Sequence, residues 1–301
     1  MKNAKKWALT AVILILTGLL LAGAAFVKAD FRLENLSNQT IIENVYEFED
    51  DYDEILISIL NADVVFAHAE DNRTRVEIRE IEKIPHSVQV SENALRITAR
   101  DTRKWVDRLN FGISKTSVKV FLPESAYESA FILTLTGDIS VPGGFSFGEL
   151  DVCTSTGKLS VSDVNADNLK ADGTTGRIVL SNVDIKNELA VHLTTGDISL
   201  GGVSAQKMTA SATTGDVFMA DVVISDLMSV ELTTGSISFI RTDAGEAFLK
   251  TTTGDIEGTF LTDKVFDAKA TTGSVRVPGG TSGGSCRARA TTGHIEISIG
   301  G

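Results

Sequence analysis

Large aromatic side chains are scarce in this chain of 301 residues, which has two tryptophans, three tyrosines and an aromatic content of 6%. So few rings disfavour a thick core, whereas 26 glycines and an apolar content of 43% suit a thin core of small and branched residues. The longer i, i+3, i+4 spacing of an amphipathic helix is also missing from the repeats described below. The composition therefore favours an elongated all-β domain.

Basic residues are in deficit, with 28 lysines and arginines against 40 aspartates and glutamates. Four lysines and none of the acids lie in the first 29 residues, so the remainder carries 24 minus 40, or −16. Nucleic acid and anionic lipid are therefore poor partners for this part of the chain. The densest acidic run, residues 47–54, could bind cations or a basic partner, but a solvated linker is the simpler interpretation.

One short motif, Thr-Gly followed by a polar and then a branched apolar residue, recurs nine times at intervals of 19 or 20 residues. Its glycines are Gly137, Gly157, Gly176, Gly196, Gly215, Gly235, Gly254, Gly273 and Gly293. A fixed period of this length is typical of a chain that coils on itself, with each repeat stacked on the one before. We number each repeat from its glycine, which is position zero.

Alternation within the repeat predicts two strands per coil. Positions minus seven and minus five are mostly apolar and positions minus six and minus four mostly polar, while positions plus two and plus four are apolar again. The expected inward positions are minus seven, minus five, minus three, minus one and plus two, with a turn or bulge at the glycine. The predicted fold is a single-stranded β-solenoid, a parallel β-helix or β-roll with about 19–20 residues per coil.

The threonine before every glycine is expected to form a ladder along the stack. Such a ladder could be a ligand-binding or ice-binding face, but a structural corner is the simpler interpretation.

Residues 7–27 carry no charge and follow a tail, residues 1–6, that contains three lysines. This length and asymmetry predict one transmembrane helix, a signal anchor with a cytoplasmic N-terminus that leaves the rest of the chain outside the cytoplasm. The alternative is a signal peptide cleaved after Ala29, which would make the protein secreted. We expect an acidic juxtamembrane linker and first strand over residues 28–53, irregular β coils over 54–130 and the regular solenoid over 131–301.

Seven short strands are predicted before the regular repeats. They are Thr40–Phe48, Glu54–Leu60, Asp63–Ala69, Thr74–Glu80, Ser87–Val90, Ala94–Ala99 and Ser117–Leu122. We interpret them as degenerate first coils that cap the stack. At the other end, the coil that finishes with Ile295–Gly301 should leave a bare sheet edge, which is a candidate surface for self-association.

No pattern of catalytic or metal-binding residues emerges. The G-x-S-x-G sequence around Ser146 lacks the following helix that a nucleophile elbow needs. A carboxylate ladder at position plus one could bind calcium, but only Asp197 and Asp216 among Asp138, Asp197, Asp216 and Asp255 would be neighbours. His68, His86, His192 and His294 show no metal spacing, and the basic cluster of Arg100, Arg103, Lys104, Trp105 and Arg108 fits a loop as well as a phosphate site.

Cys153 and Cys286 should be unpaired, because seven coils separate them and a disulfide needs Cα atoms within about 7 Å. We therefore predict no catalytic, cofactor-binding or metal-binding residues, and no cofactor.

The Asn61-Ala62-Asp63-Val64 strand start, the Val120-Phe121-Leu122-Pro123 segment and the serial Thr-Thr-Gly-Asp-Ile corners resemble one family. It is the bacterial "putative adhesin" domain of unknown function, which includes membrane-anchored LiaG-like β-solenoid proteins of Gram-positive bacteria. The resemblance covers about residues 40–301. It implies an extracytoplasmic β-solenoid linked to envelope stress, with no catalytic residues to transfer.

The sequence therefore favours a non-enzymatic, membrane-anchored scaffold in the cell envelope that binds an envelope protein or polymer. A carbohydrate-active β-helix enzyme is the main alternative, and it would need paired carboxylates on adjacent coils. A self-assembling surface protein is another.

Overall fold

The computed structural model describes residues 40–71, 73–102 and 116–300, together with scattered helical positions between Leu14 and Val27. Among these residues no helix has the length and apolar character needed to cross a membrane. Most of the predicted anchor, and the part of the basic cluster from Arg103 to Arg108, lie outside the described residues.

The described chain is built from eighteen strands in one continuous sheet. They are β1 (Ile41–Phe48), β2 (Glu54–Asn61), β3 (Asp63–His68), β4 (Thr74–Ile81), β5 (His86–Ser91), β6 (Ala94–Ala99), β7 (Ser117–Leu122), β8 (Ala126–Thr136), β9 (Ile139–Val141), β10 (Ser146–Ser162), β11 (Asn165–Thr214), β12 (Val217–Thr234), β13 (Ile237–Thr253), β14 (Ile256–Phe260), β15 (Lys264–Thr272), β16 (Val275–Arg276), β17 (Gly284–Thr292) and β18 (Ile295–Ile299). The seven strands predicted before the repeats are all present, with ends shifted by one residue at most.

The repeats stack as parallel coils in the predicted register. Leu150 of β10 lies beside Leu169 of β11, and Gly157 lies beside Gly176, so equivalent positions form columns along the stack. Below, each coil takes the name of its corner glycine, and the coil made by β2 and β3 is the Ala62 coil, because Ala62 occupies the glycine position. The all-β solenoid is confirmed.

The five coils from the Gly157 coil to the Gly235 coil have three sides rather than the two that the sequence predicted. A second corner follows at position plus six, where Asp163, Asn182 and Asp221 adopt positive φ angles of 53°, 52° and 56°. Beyond it a third short segment buries positions plus seven and plus nine, such as Val183 and Ile185. The prediction stopped at plus four and missed this second apolar pair.

The inward-facing positions of the first strand end at minus three, whereas the sequence predicted that they continue to minus one. Position minus three is buried, and Thr154 there donates a hydrogen bond to the Gly137 carbonyl of the neighbouring coil at 3.1 Å. All nine threonines at minus one are exposed instead, because the chain already turns at that residue.

Glycine is required at the Thr-Gly corner because the coils approach too closely for a side chain. Gly157 has a φ of 153°, and a Cβ there would lie 2.1 Å from the Gly137 carbonyl oxygen. The same contact joins each corner glycine to its stacking neighbour, so it also reports the order of the coils.

The last two coils are out of sequence order, which corrects the expected position of the free edge. β17 pairs with β13 on one side and with β15 on the other, and β18 likewise lies between β14 and β16. The Gly293 coil is thus inserted between the Gly254 and Gly273 coils. Ile295–Ile299 is an interior strand, and the outermost coil is the Gly273 coil, residues 264–277.

The first coils show the same insertion. β2 lies between β6 and β8, so the Ala62 coil is enclosed by strands that follow it in the sequence. Two antiparallel additions complete this end: β4 pairs with β7 and carries β1 on its far edge, and β5 pairs with β6. The predicted cap is therefore present, although β1, β4 and β5 are not solenoid coils.

Candidate binding faces of the solenoid

Aspartates at position plus one hold neighbouring coils together. The Asp138 carboxylate accepts a hydrogen bond from the Lys158 amide at 2.6 Å, and Asp216 accepts one from the Ser236 amide at 2.8 Å. Asp216 and Asp197 are neighbours, as predicted, and the Asp216 amide donates to Asp197 at 3.3 Å. These carboxylates are backbone acceptors, and no group of three metal-ligating side chains occurs among the described residues.

The same ladder confirms the exchanged coil order. Asp255 accepts a hydrogen bond from the amide of His294, 39 residues away, at 2.6 Å. The Nδ1 atom of His294 in turn accepts from the Ser274 amide at 3.1 Å. A sequential stack would have joined Asp255 to Ser274 directly.

Two columns of side chains, all hydroxyl-bearing except Leu135, run along the Thr-Gly corner from the Gly137 coil to the Gly273 coil. The column at minus one contains nine exposed threonines: Thr136, Thr156, Thr175, Thr195, Thr214, Thr234, Thr253, Thr292 and Thr272. The column at minus two beside it contains Leu135, Ser155, Thr174, Thr194, Thr213, Thr233, Thr252, Thr291 and Thr271. We call these two columns the threonine stripe.

The geometry of the stripe is regular because the strands are in register. Thr214 lies beside Thr234, and Thr234 beside Thr253, at the strand spacing of about 4.8 Å. None of the nine hydroxyls at minus one has a hydrogen-bond partner among the described residues. Each is thus available as donor and acceptor, while its methyl group adds apolar contact area.

A second group of polar side chains lies on the outer face of the first strand, at minus six and minus four. Lys170 lies 2.7 Å from Asp172, and this hydrogen bond raises the pKa of the lysine. Burial raises the pKa of Asp151, against the opposing effect of Lys170 and with a further increase from Asp172. Burial, followed by the charges of Asp172 and Asp151, also raises the pKa of the half-buried Cys153 thiol.

His192 and Ser211 continue this face on the next two coils. The Nδ1 atom of His192 lies 2.9 Å from the Ser211 hydroxyl. The sequence analysis found no metal spacing among the four histidines, and it missed this pair because its members are 19 residues apart. Both occupy position minus four of successive repeats, so the period itself was the signal that could have found them.

The other histidines have partners too. His68 lies 2.6 Å from the Gly143 carbonyl oxygen and stacks on Phe145, with ring centroids 4.5 Å apart. His86 is buried at the closed end, where its Nδ1 atom lies 2.6 Å from the Glu80 carboxylate. The partners of His68 are 75 or more residues away, and Glu80, six residues from His86, lies on another strand outside the regular repeats, so no repeat pattern indicated them.

The remaining predicted candidates lie apart from one another. Ser146 begins strand β10, and no helix follows it in residues 147–300. Both cysteines are free, as predicted, although the exchanged order places them six coils apart instead of seven. In the acidic run the carboxylates face solvent or are half-exposed, but Tyr52 is buried and stacks on Tyr127 with ring centroids 6.1 Å apart.

A family profile described as Toastrack DUF4097 matches residues 52–249 of the chain. Three solved structures align with the chain. A "putative adhesin" from Bacteroides fragilis NCTC 9343 is 14% identical, with 86% of this chain and 97% of that chain covered and a TM-score of 0.42. A "putative lipid binding protein" from Parabacteroides distasonis ATCC 8503 is 14% identical, with 86% and 97% covered and a TM-score of 0.47.

A "putative adhesin" from Parabacteroides distasonis ATCC 8503 is 15% identical, with 86% and 98% covered and a TM-score of 0.43. No curated protein sequence matches the chain.

Proposed function

The chain belongs to the Toastrack DUF4097 family, and we propose that this protein is a non-enzymatic binding scaffold of the cell envelope. Its ligand is a linear, hydroxyl-rich envelope polymer, which the threonine stripe binds along the solenoid axis. The uncharged segment 7–27 anchors the protein in the membrane with residues 30–301 outside the cytoplasm. A role in envelope stress is part of the same proposal.

The observation that supports this proposal is the column of nine exposed threonine hydroxyls at minus one, none of which has a hydrogen-bond partner among the described residues. A core-filling role would require buried threonines, as at position minus three, where Thr154 is 2% exposed. At minus one all nine threonines face solvent. A repeat that places the same donor and acceptor at each step of about 4.8 Å matches a ligand that is itself repetitive.

Co-sedimentation with purified, insoluble cell-wall glycan tests the proposal. The full chain, solubilised in detergent, should pellet with the glycan. The variant Thr214→Val with Thr234→Val keeps the branched shape but removes two hydroxyls at the centre of the stripe, so binding should fall about tenfold, equivalent to roughly 0.5–1.5 kcal/mol per lost hydrogen bond. Unchanged binding would refute the stripe as the binding surface.

A matched control changes the same two coils on another face. Thr209 and Ser229 occupy position minus six of the Gly215 and Gly235 coils, and Thr209→Val with Ser229→Val should bind like the unaltered chain. Equal losses in both double variants would also contradict the proposal, because they would indicate a general effect on folding.

The alternative, a carbohydrate-active enzyme, is favoured by one observation: Asp151 and Asp172 share a face on adjacent coils. Burial raises the pKa of Asp151, whereas Asp172 is paired with Lys170, an asymmetry that suits an acid and a base. Release of reducing ends from envelope glycan, abolished by Asp151→Asn, would support this alternative. No release by the unaltered chain would remove it.

A further inference from the structure

The free edge of the solenoid is on the Gly273 coil. β15 pairs with β17 on one side, and no strand of the described chain pairs with its other side. A parallel stack that ends in this way leaves a row of unpaired backbone N–H and C=O groups, which can pair with another chain.

The apolar column is also open at this coil. Phe266, Ala268 and Ala270 occupy inward positions but are only half-buried, and Val275 is 42% exposed. Ile295, at the same position in the adjacent Gly293 coil, is 1% exposed. The coil thus presents both hydrogen-bonding groups and apolar side chains in the direction of the solenoid axis.

The opposite end of the solenoid offers β15 no coil strand with a free edge. A head-to-tail stack would have to place β15 on β6 and β7, but β5 and β4 already pair with those strands antiparallel. A head-to-tail continuation of the parallel solenoid into a filament is therefore blocked, whereas a two-fold contact between two open ends closes after two copies.

We propose that two copies of this chain associate end to end through β15, which pairs antiparallel with β15 of the second copy about a two-fold axis at Ala268. This register places Asp267 opposite Lys269 of the second copy twice, and Phe266 opposite Ala270. Opposite charges directly across an antiparallel pair are stabilising, and like charges are destabilising.

Neighbouring registers of the antiparallel β15 pair are less favourable for two reasons. A two-fold axis at Lys269 would put two lysines directly opposite each other. An axis at Asp267 would replace the Asp267–Lys269 pairs by two facing aspartates, each also bonded to Arg289 of its own copy. A shift by a single pairing step would place inward residues opposite outward ones, because side chains alternate along a strand. The charge pattern of residues 264–272 therefore selects the register centred on Ala268.

Cysteine cross-linking of the full chain in detergent micelles tests the dimer. In a Cys153→Ser background, Ala268→Cys places two thiols directly opposite each other, where antiparallel Cα atoms are about 4.5–5.5 Å apart and a disulfide can form. Mild oxidation should give a covalent dimer. Thr209→Cys, on the side of the solenoid, should stay monomeric under the same conditions.

A charge reversal gives an independent measurement. Lys269→Asp opposes two pairs of carboxylates and should reduce both the cross-linking of the Ala268→Cys variant and the dimer fraction in sedimentation by about tenfold. Lys158→Asp makes the same charge change at position plus one, where other coils carry aspartate, and should leave the dimer intact. A monomer in sedimentation with no cross-link in the Ala268→Cys variant, or a dimer unaffected by Lys269→Asp, would overturn the proposal.

Discussion

The two ends of this solenoid solve the problem of a free sheet edge differently. At the N-terminal end β4 and β5 pair antiparallel with the outermost coil strands, so the free edges there belong to β1 and β5, while at the other end the coil strand β15 itself has a neighbour on one side only within the described chain. Yet at both ends a coil that is terminal in sequence is enclosed: the Ala62 coil by β6 and β8, and the Gly293 coil by the Gly254 and Gly273 coils. Insertion of this kind protects terminal strands from fraying.

One buried charged residue secures each end. Glu80, 1% exposed, accepts hydrogen bonds from Asn44 of β1 and from the backbone amide of His86 in β5, each at 2.6 Å. Lys264, 2% exposed, pairs with Asp243 and lies 5.5 Å from the centroid of the Phe260 ring. The strands at the N-terminal end are thus joined through a buried carboxylate, and those at the open end through a buried lysine.

The largest expected effect comes from replacing a corner glycine in the enclosed coil. Gly293→Ala would place a Cβ 1.9 Å from the Gly254 carbonyl oxygen at a φ of 148°, with coils on both sides, and should destabilise the solenoid by about 4 kcal/mol. Gly273→Ala makes a similar contact, but its coil can move outward, so we expect about 2 kcal/mol. Urea unfolding followed by circular dichroism measures both, and a larger loss for Gly273→Ala would contradict the exchanged order.

Removing either buried charge should be nearly as costly. Glu80→Ala leaves His86 and Asn44 without their acceptor, and Lys264→Ala leaves Asp243 without its cation, so each should lose about 3 kcal/mol. Hydrogen exchange should locate the first loss at β1 and β5, and the second at β15. Faster exchange at the opposite end in either variant would disprove the local role.

Equivalent apolar positions in the last two coils should differ in cost. Ile295→Ala, in the enclosed coil, should destabilise by about 3 kcal/mol, because the side chain is 1% exposed. Val275→Ala, at the same position of the open coil and 42% exposed, should cost less than about 1 kcal/mol. Thermal unfolding of the two variants measures both losses of stability. Equal losses would mean that the open coil is covered in solution.

The smallest effect is on thiol chemistry. Burial raises the pKa of Cys286 to about 12, so this group is a neutral thiol up to that pH, and its alkylation by iodoacetamide should remain slow at pH 9. Above the ordinary thiol pKa the unfolded chain releases a proton that the folded chain retains, so this residue lowers stability as pH rises from about 9 to 12.

Opening of the Gly273 coil should expose Cys286, and Gly273→Ala should therefore accelerate its alkylation severalfold. The half-exposed Cys153, on a coil far from that end, serves as the internal control and should keep its rate.

Several features of the coil could be predicted because the period repeats them nine times. The burial of positions minus seven, minus five, plus two and plus four is confirmed in every coil except the Gly273 coil and at Gly258. The third side was missed because the pair at plus seven and plus nine follows a corner with no fixed residue: Asp163, Asn182, Gly202 and Arg241 all take positive φ there. Pairs such as His192 with Ser211 required the register as well as the composition.

The sequence alone determined the stacking of coils, their Thr-Gly corner and the columns of like residues, because a Thr-Gly step at a fixed interval restricts both backbone conformation and burial at that turn. Only the tertiary structure decided the order of the coils. Any Thr-Gly corner fits on any other, so nothing local distinguishes Gly254 followed by Gly273 from Gly254 followed by Gly293. That choice is recorded in contacts between segments two repeats apart, such as the Asp255 carboxylate with the His294 amide, and it places the open edge at residues 264–277.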